Sequence, residues 1–150
     1  MISIKEYADL IKSLPVGGQF TKIKRDSTFW NPTTNTDFPD DVKEVVDAVF
    51  GECSGDNNYI KISRDDIKET IDTEKKIVKI LMWGYPGGGR YDQVQNILQN
   101  LNDLTTWLEE NNGKNFDSVK NALGEKPNIN GLGPSTISKL LYFFKVTIGD

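Results

Sequence analysis

The chain contains no histidine. That removes the side chain most often used as a general base, the commonest metal ligand, and every Ser-His or Cys-His nucleophile arrangement. Its single cysteine, Cys53, excludes an intramolecular disulfide and offers no zinc framework. No metal and no cofactor are expected. No apolar run approaches the roughly 20 residues of a membrane-spanning helix. Met1-Ile2-Ser3-Ile4-Lys5-Glu6 also lacks the basic region and apolar core of a signal peptide. The expectation is a cytoplasmic protein with no membrane partner. Positive charge is in short supply as well. There are 18 Lys and Arg against 22 Asp and Glu, a net charge of −4, which speaks against a uniformly phosphate-binding surface. Any chemistry must come from Asp, Glu, Lys, Tyr or backbone groups.

What remains is 150 residues of ordinary globular composition, enough for one domain with a sizeable core. The charge is unevenly spread. Residues 1–110 carry 13 Lys and Arg against 19 Asp and Glu. Residues 111–150 carry Lys114, Lys120, Lys126, Lys139 and Lys145 against Asp117, Glu125 and Asp150. The acidic part suits a basic protein partner, and the positive end suits an anion.

The pattern predicts a mainly α-helical chain with at most one short strand pair. Residues 3–14 form a first helix, with Ser3 as N-cap and Glu6 completing a capping box. Residues 19–40 read as irregular, with Phe20, Ile23, Phe29, Trp30 and Phe38 as candidates for burial beneath the loop. A short helix follows at 40–50, and Tyr59-Ile60-Lys61-Ile62 is extended. Ser63 caps a helix that breaks near Thr73 and resumes from Glu74 to Trp83. Tyr91 to Glu110 reads as one long helix, and Asp117 to Leu123 as a short one. Asp40-Asp41 and Asp65-Asp66 sit at helix starts, where the dipole favours acids. The chain divides into an N-terminal irregular and helical part, 1–60, and a helical core, 60–150.

Ile129-Asn130-Gly131-Leu132-Gly133-Pro134-Ser135-Thr136 carries the most information. An apolar anchor precedes a Gly-x-Gly turn, and Pro134 then suits a first helical turn. Ile137, Leu140, Leu141 and Phe144 share one face of the helix that follows. Such a turn directs free N–H groups and a positive helix end outward, a site for a phosphate. A structural turn between two helices uses the same residues. A second glycine-rich stretch, Met82-Trp83-Gly84-Tyr85-Pro86-Gly87-Gly88-Gly89-Arg90, ends an apolar helix. It is neither a dinucleotide fingerprint nor a P-loop, since no strand precedes it and no Gly-Lys-Ser/Thr follows. Its alternatives are a plain helix C-cap or a cluster in which aromatic rings stack a base.

With the run Ser138-Lys139-Leu140-Leu141-Tyr142-Phe143, these stretches resemble bacterial proteins with the 8-oxoguanine DNA glycosylase fold, within the helix-hairpin-helix DNA glycosylase superfamily. The resemblance covers roughly residues 60–145. It implies a helical glycosylase-like domain with its hairpin at 129–134. It also implies binding of double-stranded DNA and excision of a damaged or modified base by cleavage of the N-glycosidic bond. Gly131, Leu132, Gly133, Ser135, Thr136 and Arg90 would contact the DNA backbone, and Trp83, Tyr85 and Tyr91 would form the base pocket. Relatives use either a water-activating Asp or a Lys that forms a Schiff base with the sugar. The Lys position of the second group is Ser135 here, and Lys139 lies one helical turn further on the same face. A nucleophilic amine, a phosphate contact and a solvated surface lysine all remain open for Lys139. The Asp of the family falls just beyond residue 150 when counted from Gly133, so Asp150 is the nearest acid. The alternative is a module of the same fold that binds DNA or protein without cutting it.

Overall fold

The computed structural model describes residues 20–90, 92–117, 119–145 and 147–148. The expected helix at 3–14, Tyr91 and Asp150 lie outside them. Strand β1 (Phe20–Lys24) precedes helix α1 (Asp40–Glu52), strand β2 (Tyr59–Ser63), and helices α2 (Arg64–Glu69) and α3 (Thr73–Gly84). Helices α4 (Gln93–Gln99) and α5 (Leu101–Asn111) lead to strand β3 (Asn115–Phe116), helix α6 (Val119–Glu125), helix α7 (Pro134–Phe143) and strand β4 (Thr147–Ile148). The architecture is mainly α-helical with two small two-stranded sheets: β1 pairs antiparallel with β2, and β3 pairs parallel with β4.

Helix α3 is the axis of the fold. Every residue from Ile77 to Trp83 is buried, as expected for a helix covered on all sides. It contacts α1, α2, α5, α7 and both strands of the first sheet. Lys79 is a cation within this buried run. Its Nζ is satisfied by Glu52 at 3.0 Å and by the Thr70 hydroxyl at 2.9 Å. Its hydrocarbon stem can pack among apolar neighbours while the head reaches these partners. The Phe29 ring meets both Trp30 and Phe38 edge to face, and the Trp30 indole N–H donates to the Tyr85 carbonyl at 2.9 Å.

Start signals behave as their chemistry dictates. The Ser63 hydroxyl accepts from the Asp66 N–H, and Asp72 caps α3 by accepting from Lys75. Asp40 and Asp41, and Asp65 and Asp66, occupy first turns. Two expectations are corrected. Residues 20–24 are a strand and not irregular chain: Ile23 is buried in the core while Lys22 and Lys24 face out. The long helix from Tyr91 to Glu110 is in fact two. Asn100, with φ −117°, bonds its N–H to the Ile97 carbonyl and its side chain to Asn96, and the chain turns there. Among the described residues no helix is long and apolar enough to cross a membrane.

Candidate functional site

The turn before α7 is anchored from within. Ile129 and Leu132 are buried, and the Leu132 N–H closes the turn on the Ile129 carbonyl at 3.2 Å. Gly131 has φ +91°, and a Cβ there would lie 2.8 Å from the backbone oxygen of Gln93. Both facts demand glycine. Gly133 differs. It is the N-cap of α7 with φ −93° and ψ −175°, no side chain caps the helix, and a Cβ would meet nothing within 4 Å. Pro134 follows at the head of the helix and has no N–H to satisfy.

The two glycine-rich segments come together through one hydrogen-bonded cluster. Gln93 Nε2, in the first turn of α4, donates to the Gly131 carbonyl at 2.9 Å and to the Thr136 hydroxyl at 3.2 Å. Thr136 shares a 2.7 Å hydrogen bond with the Tyr85 hydroxyl. Tyr85 is the C-cap of α3, and its carbonyl accepts the Gly88 N–H at 2.9 Å. Gly88 has φ +93°, and its α-carbon lies so close to the Phe29 ring that a side chain would enter the ring. Residues 85–89 and 129–136, far apart in sequence, therefore form adjacent walls.

Lys139 lies along this seam. Its Nζ donates to the Ser135 hydroxyl at 3.0 Å and stands 5.4 Å from the centre of the Tyr85 ring. Its stem passes over Gly84, where a Cβ would sit 3.2 Å from Cδ. The ion pairs among the described residues are Lys75–Glu52 and Lys79–Glu52, so Lys139 has no carboxylate partner there. An ammonium fixed by a hydroxyl and a ring face, without an acid, can receive an external anion, and once it has given up a proton its amine can approach an electrophile.

The expected site residues divide by exposure. Gly131, Ser135 and Arg90 are exposed, and Gly133, Tyr85 and Lys139 are half-buried. Leu132 and Thr136 are buried, so the one anchors the turn and the other ties it to Tyr85 and Gln93. Trp83 is 4% exposed and packs edge-on against Phe143 at 5.3 Å. Its ring belongs to the core and does not offer a stacking face. Tyr91 and Asp150 lie outside the described residues. Sequence reasoning missed Gln93, a lone amide whose role appears only once α4 meets the turn. Cys53 sits apart at the end of α1, where burial pushes its thiol up to about 11, away from a nucleophile's range. Among the described residues no His, Cys, Asp and Glu cluster could hold a metal ion.

No curated protein and no solved structure matches the chain. A family model described as "Putative 8-oxoguanine DNA glycosylase OGG-like protein" matches residues 21–149, a span that includes all of β1 but Phe20, both glycine-rich segments and Lys139. The chain therefore belongs to this family of OGG-like proteins.

Proposed function

We propose that this protein is a DNA glycosylase that grips duplex DNA with a helix-hairpin-helix formed by α6, the 126–133 connection and α7. In this reading it excises a damaged or modified base turned out of the stack. The observation that carries the proposal is the held position of Lys139. Its ammonium group rests on Ser135 and Tyr85, on the helix whose N-cap no side chain occupies. Gly133, Ser135 and the outward N–H groups of the first turn of α7 take a backbone phosphate, favoured by the positive helix end. Arg90, exposed beside the second glycine-rich segment, takes another. The turned-out base lies against Tyr85 and Tyr91.

Cleavage follows from Lys139 as an amine. Once deprotonated, its nitrogen lone pair forms a bond to the sugar C1′ as the bond from C1′ to the base nitrogen breaks. The base leaves with that electron pair and takes up a proton, and ring opening of the sugar gives a Schiff base on Nζ. Asp150 is the acid proposed to stabilise positive charge on the sugar during bond breaking.

A second reading is a module that binds DNA without cutting it. It draws on the same Lys139 contacts, which suit an ammonium facing a phosphate. Borohydride trapping on duplexes carrying oxidised, deaminated, alkylated or hydroxymethylated bases separates the two, with a parallel gel shift. A trapped covalent adduct that disappears in Lys139→Ala is the expected result. Abasic product without trapping replaces the amine by activated water. A shift with neither product nor adduct establishes the binding module.

A further inference from the structure

The outer face of the β1–β2 ribbon gathers positive charge in the part of the chain whose overall balance is acidic. In the antiparallel register Phe20 opposes Ser63, Lys22 opposes Lys61 and Lys24 opposes Tyr59. Ile23, Ile60 and Ile62 are buried on the other face, so these six side chains point away from the core. Two of the cations are held by rings. Lys22 Nζ stands 4.4 Å from the centre of Tyr59, and Lys61 Nζ stands 4.7 Å from the centre of Phe20. Arg25 follows at the strand end, its Nε donating to the Asp56 carbonyl at 2.6 Å.

Two features of this face do not serve the fold. Like charges directly opposite one another destabilise a strand pair. Lys22 and Lys61 are such a pair, and neither forms an ion pair among the described residues, although the charge of Lys22 and Arg25 reaches Asp56. Phe20 leaves 45% of its surface exposed. The carboxylate of nearby Asp56 is turned to the backbone N–H groups of Asn58 and Tyr59. Lys22 and Lys24 also line an open cleft with Asp26, Ser27, Thr28, Pro86 and Gly87, two cations against one acid. That cleft borders the same glycine-rich segment that runs on to Arg90 and to Gln93, the residue bonded to Gly131. The ribbon and the 131–133 turn thus each adjoin part of the 86–93 stretch of chain.

We infer that the ribbon face is a second contact for duplex DNA, taking the phosphodiester backbone next to the segment held by the turn. The inference rests on the DNA-binding reading above. Phosphates supply the direct ion pairs that Lys22 and Lys61 do not make among the described residues. The ring contacts fix the ammonium groups beforehand, which lowers the ordering cost of binding. Charge complementarity is thereby local: the total of −4 says little about this face.

The test is the affinity of the full chain for a short undamaged fluorescent duplex as a function of salt. Lys22→Glu puts an opposite charge across from Lys61, so the melting temperature is expected to stay within a few degrees. Affinity is expected to fall about tenfold, and the salt slope by about 1, because one phosphate is no longer neutralised. Lys24→Glu is a second variant with the same expected direction. Wild-type affinity and slope in both folded variants, with binding abolished in Gly133→Asp, overturns the ribbon proposal and leaves the turn intact. Weakened binding in the ribbon variants, with binding kept in Gly133→Asp, supports the ribbon and removes the turn. A wild-type chain that binds no duplex at all overturns both.

Discussion

Gly88 and Gly131 adopt nearly the same left-handed backbone, φ +93° and +91°, and both press against another part of the chain. Gly88 meets the Phe29 ring, part of the aromatic cluster with Trp30 and Phe38. Gly131 meets the backbone of Gln93. The two turns then diverge. In the first, Gly88 is buried against the ring and Gly89, though exposed, still closes on Val94, where a Cβ would sit 3.1 Å away. The second ends at Gly133, with ordinary extended backbone and open space around it. A glycine forced by its own chain explains packing. A glycine that its chain does not force, at an uncapped helix start, leaves room for something from outside.

Substitutions can break this contrast. The largest expected effect is Gly88→Ala, which must displace Phe29 and disturb its edge-to-face contacts with Trp30 and Phe38. A loss of about 3 kcal/mol, read by chemical denaturation, is expected. Gly131→Ala follows at about 2 kcal/mol, because the left-handed backbone is strained and Gln93 must move. Equal stability of either variant with the wild type would show that the turn is not packed as described. Thr136→Val comes next, at about 1.5 kcal/mol. It keeps the shape but leaves the Tyr85 hydroxyl and the Gln93 amide without their shared partner.

The smallest effect lies away from both turns. Burial alone would raise the Glu52 carboxyl, but hydrogen bonds from Lys79 and Lys75 outweigh it and hold the group below the usual carboxylate range. A carboxyl depressed in the folded state contributes stability above its unfolded pKa, and that contribution is lost as pH falls through the folded value. Wild type should therefore lose slightly more stability than Glu52→Gln on acidification below the usual Glu range. Identical pH profiles of the two would remove this pair from the account.

Much of the helical frame is legible in the sequence. The apolar spacing in α1, α3 and α7 and the serine cap at residue 63 report local chemistry, and local chemistry is what a sequence displays. The break at Asn100 is not legible, because α4 and α5 bury their faces in the same core and the apolar period continues across the turn. Strand β1 is hidden because five residues with one buried side chain make a faint alternation, and its partner lies far along the chain. At the candidate site, the turn at Gly131 is legible from spacing, whereas Ser135 and Lys139 enter only through the family resemblance. Trp83 misleads because a glycine-rich neighbour suggests a surface, whereas the α3 helix carries it into the core. Gln93 and the Tyr85 hydroxyl carry no signal of their own, since their roles arise only where α4 and α7 meet.

The most direct measurement is the duplex DNA affinity of Gly133→Asp beside its melting temperature. Aspartate is a favoured N-cap, so its carboxylate would occupy the N–H groups that a phosphate would otherwise take, without strain in the fold. The expected result is a melting temperature equal to or above the wild type and an affinity reduced at least about tenfold. Wild-type affinity in that stable variant would contradict the claim that the start of α7 is where this protein holds DNA.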